Sequence, residues 1–196
     1  MRRILLAALL LGGCRAAGAA PEPSAALSRL AGLPCITVER IGTSRQGRPL
    51  EVVTAANPDA IRRGAPAVLI VCGQHGDEPV APQAALRVLG QLAAGRHGEI
   101  LDRIVTVVVP YANPDGLAAG CRANAAGADL NRDWRERTQP ETRAVAALLL
   151  RLRPMLLVDA HEWAPDDVHE CNSVEVPLFD AGQPEPEWAR PLGRWV

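Results

Sequence analysis

Two short polar clusters hold the side chains best suited to chemistry: His75-Gly76-Asp77-Glu78 and, far along the chain, Asp159-Ala160-His161-Glu162. His75 and Glu78 are three apart, so one local element can aim both at a single point, while His161 must arrive from a neighbouring strand. Two imidazoles and a carboxylate, with a fourth position left for water, form a catalytic zinc set, whereas structural zinc usually takes four protein ligands rich in cysteine. H-x-x-E alone is weak evidence, because a capped helix start with a solvated histidine looks the same. Two such clusters in one chain, each just after an apolar run, are harder to attribute to chance.

Between the clusters, residues 122–133 contain two Arg, two Asn and two Asp (Arg122, Arg132, Asn124, Asn131, Asp129, Asp133). A guanidinium presents a planar fork to a carboxylate and an Asn amide adds a donor, so the segment suits an anionic substrate end. A solvated, turn-rich loop has the same composition. Asp159, two before His161, either accepts a hydrogen bond from that imidazole or simply ends its strand. Trp134 and Trp163 flank the site segments and either line a pocket or pack ordinarily. His97 and His169 read as loop residues.

The elements that must position these groups alternate between strand and helix. Ile36 to Ile41 and Leu50 to Ala55 read as strands joined by a turn around Gln46-Gly47. Ala67 to Cys72, Ile104 to Val109 and Met155 to Asp159 are apolar runs, as expected of strands covered on both faces. Ala81 to Ala94 has helical spacing of its apolar residues and is followed by Gly95. A second helix is predicted from Thr138-Gln139-Pro140-Glu141 to about Arg151, with Thr or Gln as cap, Pro in the first turn and Glu complementing the dipole. Asn113-Pro114-Asp115-Gly116 reads as a turn, and Gly73 and Gly76 as residues that let the chain bend sharply. Polar clusters directly after strands indicate an α/β sheet with its site at the strands' carboxyl ends.

The chain has 196 residues, 48% hydrophobic and 22% charged, which suits one globular domain. Its formal net charge of −1 gives no basic footprint, so neither nucleic acid nor an anionic membrane is expected as a partner. All 21 basic residues are Arg, and the lack of Lys removes P-loop, Schiff-base and Ser-Lys chemistry together. No Ser sits in G-x-S-x-G, so a nucleophile elbow is missing as well.

Arg2 and Arg3 precede an apolar run from Ile4 to Leu11 that is too short to span a bilayer but suits the core of a signal peptide. Cleavage after Ala19 and lipidation at Cys14, in Leu11-Gly12-Gly13-Cys14, compete, so a periplasmic or extracellular location with an optional lipid anchor is expected. Residues 20–34 read as a linker and residues 35–196 as the domain. Cys35, Cys72, Cys121 and Cys171 either form two disulfides in one of three pairings or serve as small buried hydrophobes.

Taken in order, these motifs resemble the carboxypeptidase A/B-like zinc peptidases over roughly residues 36–161. The family's first zinc motif falls on His75 and Glu78 and its second zinc histidine on His161. Ile41-Gly42-Thr43-Ser44 with Gly47-Arg48-Pro49 is similar to its opening hairpin, and Asn113-Pro114-Asp115-Gly116 to its central turn. The resemblance implies Zn2+ as cofactor, a peptide as substrate, Arg122 polarising the scissile carbonyl, and Asn131 with Arg132 holding the terminal carboxylate. It also implies a mixed, mostly parallel central sheet flanked by helices.

Two family features have no counterpart. The general-base Glu lies well beyond the second zinc histidine in the family, whereas 35 residues follow His161 here, and the only Tyr is Tyr111. The expectation is therefore a chain lacking the family's C-terminal part, or a divergent one using Glu162, Glu170 or Glu175, with Glu162 disfavoured because it would face away from His161 on an extended backbone. Trp188 and Trp195, without an obvious partner, fit the first of these. Three functions follow: a zinc carboxypeptidase, with cell-wall peptides as one substrate class; a zinc-dependent amino-acid deacylase of the aspartoacylase or succinylglutamate desuccinylase type; or a non-catalytic zinc-binding module.

Overall fold

The strand Val105–Val109 (β4) shows why the central strands are apolar throughout: Val107 and Val109 pack on one side of the sheet and Val108 on the other, all buried. The computed structural model describes residues 23–162. Its other strands are Ile36–Thr43 (β1), Pro49–Ala55 (β2), Ala67–Cys72 (β3) and Leu156–Ala160 (β5). They form one sheet in the order β1-β2-β4-β3-β5. β1, β2 and β4 pair antiparallel, while β4, β3 and β5 run parallel, so the sheet is mixed. The expected hairpin forms, with a register shift between Arg40 and Gly42.

Helices cover both faces. On one lies Pro140–Leu152 (α6), whose Val145, Leu148 and Leu149 meet Leu69, Val71, Val107 and Leu157. Gly42 of β1 lies so near this helix that a Cβ there would come within 2.9 Å of the Ala144 methyl. The other face is covered by Pro23–Leu30 (α1), Val80–Ala93 (α3) and Gly98–Arg103 (α4), through Leu27, Leu30, Leu89, Leu92 and Leu101. Two short helices, Pro58–Arg62 (α2) and Pro114–Ala119 (α5), are the remaining α-helices among the described residues.

Several local expectations need correction. The linker reading of residues 20–34 does not hold from Pro23 on, because α1 buries Leu27 and Leu30 in the core. Its Ala, Pro and Ser content hid two leucines three apart on one helical face. Asn113-Pro114-Asp115-Gly116 opens α5 rather than forming an isolated turn: the Gly116 amide donates to Asn113 Oδ1 at 2.9 Å, and Pro114 takes a first-turn position. At α6, Gln139 is the N-cap but makes no capping bond through its side chain. Asp133 instead accepts from the amides of Thr138 and Gln139 and from the Thr138 hydroxyl. α2 and α4, of five and six residues, are too short to show a clear period in the sequence.

Cys35 and Cys72 carry free thiols, so none of the three two-disulfide pairings forms. Cys72 is the small buried hydrophobe of the alternative reading, its thiol pushed up to about 12 by burial and then by the charge of Asp159. Cys121 is disulfide-bonded. Residues 1–19, Cys171, Trp163, His169, Glu170, Glu175, Trp188 and Trp195 lie outside the described residues. Among the described residues, no helix is long and apolar enough to cross a membrane.

Candidate metal centre

Strands β3 and β5 are parallel neighbours, with Val71 opposite Asp159 and Cys72 opposite Ala160, so the segments leaving their carboxyl ends emerge side by side. Gly73 leaves β3 with φ +64, a conformation that glycine adopts without strain. Gly76 has a different reason to be glycine: a Cβ there would lie 1.9 Å from the Gly116 carbonyl carbon, so the loop needs backbone-to-backbone approach rather than a sharp turn. The Gly76 amide donates to the Cys121 carbonyl at 3.0 Å. Asn113, fully buried, donates through Nδ2 to the carbonyls of Gln74 and Arg122, tying the His75 loop to the arginine segment.

In that frame His75, Glu78 and His161 converge. His75 Nδ1 is 2.6 Å from Glu78 Oε1, and His161 Nδ1 is 2.9 Å from Glu78 Oε2. The imidazole centroids stand 4.8 Å apart, and one donor atom from each of the three residues lies within 4.8 Å of the other two. Tetrahedral zinc with bonds near 2.1 Å needs donors about 3.4 Å apart, so small side-chain movements suffice to hold such an ion. The chemistry of the set agrees with this. Burial would raise the Glu78 carboxyl, but hydrogen bonds from His161 and His75, and their charge, bring it down to about 2. Burial would likewise lower His161, yet bonding to Asp159 and Glu78 takes it up to about 10. This centre favours positive charge at the point where the three side chains meet.

Each histidine has a carboxylate behind it. His75 Nε2 lies 3.1 Å from Asp129 Oδ1, and His161 Nε2 lies 3.1 Å from Asp159 Oδ2. Asp159 thus both belongs to β5 and meets the imidazole. Asp129 stood in the polar segment without an assigned role; its place two residues before Asn131 was the available signal. Burial pushes the Asp129 carboxyl up, but His75 and Arg122 together leave it lowered.

Arg122 donates to Asp129 from Nε and Nη2, both at 3.0 Å, and its Nη1 lies 3.7 Å from Glu78 Oε1, placing the guanidinium at the rim of the centre. Asn131 lies beside it, Nδ2 being 3.4 Å from His161 Nε2. Arg132 is exposed and reaches the Asn131 carbonyl at 3.4 Å. Glu162 turns to the α3 start, accepting from the Val80 amide, while its own amide donates to Glu78. Trp134 packs in the core and also lines a small cavity with Gln74, Asp159 and Leu157, and His97 is an exposed residue at the N-terminus of α4.

Comparisons with known proteins agree with this geometry. The family model of the zinc carboxypeptidases matches residues 33–163. Carboxypeptidase 2 of Trichophyton tonsurans is 36% identical over 93 residues, which is 46% of this chain and 17% of that protein. Murein peptide amidase A of Escherichia coli is 32% identical over 156 residues, covering 63% of this chain and 58% of the relative. Among solved structures, the metallo-carboxypeptidase of Burkholderia cenocepacia superposes with a TM-score of 0.66 at 30% identity, over 71% of this chain and 40% of that one. The chain therefore spans less than two thirds of each of these relatives. With a family match running from the first strand to just past the second histidine, and the three donors gathered at the carboxyl ends of β3 and β5, the chain belongs to the zinc carboxypeptidase family.

Proposed function

We propose that this chain holds zinc through His75, Glu78 and His161 and serves hydrolysis of a peptide bond next to a free C-terminal carboxylate, in an exported protein acting on cell-wall peptides. The single observation that carries the reading is the convergence of those three donors with the Arg122 guanidinium at their rim. Zinc bound there would supply Lewis acidity toward a carbonyl and make water reactive near neutral pH. The remaining work belongs to the chain's own side chains. Arg122, anchored by Asp129, offers donors to the oxygen that gains charge. Arg132 and Asn131 receive the terminal carboxylate, converting binding energy into orientation. The likeness to murein peptide amidase A and the signal-like N-terminus support the choice of cell-wall peptides.

Binding to the zinc-loaded chain, read by calorimetry, separates this reading from the deacylase one. A peptide with a free C-terminus should bind at least tenfold more tightly than its amide, and Arg132→Ala should erase the difference. Equal binding of the two peptides would remove the carboxylate clamp.

A further inference from the structure

Gln74 is an unusual neighbour for a metal ligand: a long polar side chain, 1% exposed, set between the loop glycine Gly73 and His75. Both ends of its amide are engaged. Its Oε1 accepts from Trp134 Nε1 at 2.8 Å, and its Nε2 donates to Asp159 Oδ1 at 2.6 Å. The other Asp159 oxygen faces His161 Nε2 at 3.1 Å. The polarity of this chain of bonds is fixed from its inner end, because an indole N–H can only donate. The amide must therefore turn its oxygen to Trp134 and its N–H to Asp159. A carboxylate only accepts, so His161 meets Asp159 with Nε2–H, and Nδ1, which faces Glu78 Oε2 at 2.9 Å, is the nitrogen that would exchange its proton for zinc. The Asn131 amide, 3.4 Å from the same Nε2, would favour the opposite tautomer, and the shorter contact with Asp159 decides against it.

From this we infer that Gln74 and Trp134 are positioning residues that act through Asp159 to fix the ring and tautomer of His161. Asp129, behind His75, is held by other groups, the half-exposed Arg122 and the Asn131 backbone amide, so the two imidazoles are supported by different kinds of partner. Trp134 packs in the core with Val145, Leu149 and Leu157, beside a small cavity that it lines with Gln74 and Asp159.

The inference rests on the zinc reading, and its test keeps the two separable. Zinc affinity is measured on the full chain by competition with a chromogenic chelator, with thermal stability recorded separately in excess chelator. Gln74→Met, which keeps the length without the hydrogen bonds, should weaken zinc binding about tenfold, as expected for loss of support behind a ligand. Trp134→Phe, which removes only the N–H and some volume, should weaken it about threefold, and the double variant should bind no worse than Gln74→Met because both act along one path. In proton NMR of the zinc-loaded chain, the His161 Nε2–H should exchange slowly in the native chain and faster in both variants. Native zinc affinity in both single variants, or fully additive losses, would overturn the relay. Zinc binding that survives His75→Ala would instead overturn the centre itself.

Discussion

Two groups of buried carboxylates lie at the same end of the sheet and behave differently. Glu78 faces two imidazoles, with a guanidinium 3.7 Å away. Glu141 and Asp115, equally buried, are satisfied by groups whose work is to hold loops. Glu141 accepts from the Arg45 amide and from Asn124 Nδ2. Asp115 accepts from the Gln46 amide, the Ser44 hydroxyl and Arg48. Both therefore pin the β1–β2 turn to the helices beside the site. Backbone amides cannot give up their protons or turn away, whereas imidazoles can exchange a proton for a metal. The difference separates a scaffold carboxylate from a reactive one, although all three are buried.

Gly76→Ala should break this distinction most severely. A methyl group overlapping the Gly116 backbone would move both the loop and α5, costing about 3 kcal/mol. Chemical denaturation should show the loss, and a chelator competition should show weakened zinc binding in the molecules that stay folded. Next, Glu78→Gln should lower zinc affinity about 100-fold, at the upper end of the effects seen for altered metal sites, while shifting stability in excess chelator by less than about 1 kcal/mol. A large stability loss with unchanged zinc affinity would place Glu78 among the scaffold groups.

Glu141→Gln is the mirror experiment. Its new NH2 would oppose a donor it now satisfies, so stability should fall by about 2 kcal/mol with zinc affinity unchanged. The smallest effect is expected at Asp133, whose carboxyl is lowered: burial pushes it up, but bonds from Thr138 and Gln139 outweigh that. A depressed folded pKa means that its contribution is complete above the ordinary carboxylate range and is lost as pH falls through the folded value. Asp133→Asn should therefore cost about 1 kcal/mol near neutral pH, with the gap to the native chain closing toward acid in a series of unfolding curves. A gap independent of pH would exclude that ionisation as its source.

Much of the site could be read from the chain because its signals are local. The three-residue spacing of His75 and Glu78, the apolar runs before each cluster and the polar segment 122–133 all survive without tertiary context. Other features were illegible for physical reasons. α1 lacks the length for a clear helical period, and its two buried leucines matter only because the sheet supplies a face to cover. Gly76 reads as a flexible turn residue, while its real constraint is the backbone of Gly116, 40 residues away. Gln74 and Trp134 carry no motif, since their meaning lies in a contact 60 residues apart.

The sequence by itself determined which donors were available, which strands would be buried on both faces, and that His75 and Glu78 would act together; side-chain chemistry and short-range periodicity suffice for these. The family resemblance already implied His161 as their partner, but only the tertiary structure brought it to them, set Asp129 and Asp159 behind the two imidazoles, and turned Glu78 rather than Glu141 to the centre. The physical reason is register. The pairing of Cys72 with Ala160 across two parallel strands brings distant residues to one edge, and that alignment is set by the packing of the whole sheet rather than by any neighbouring residues.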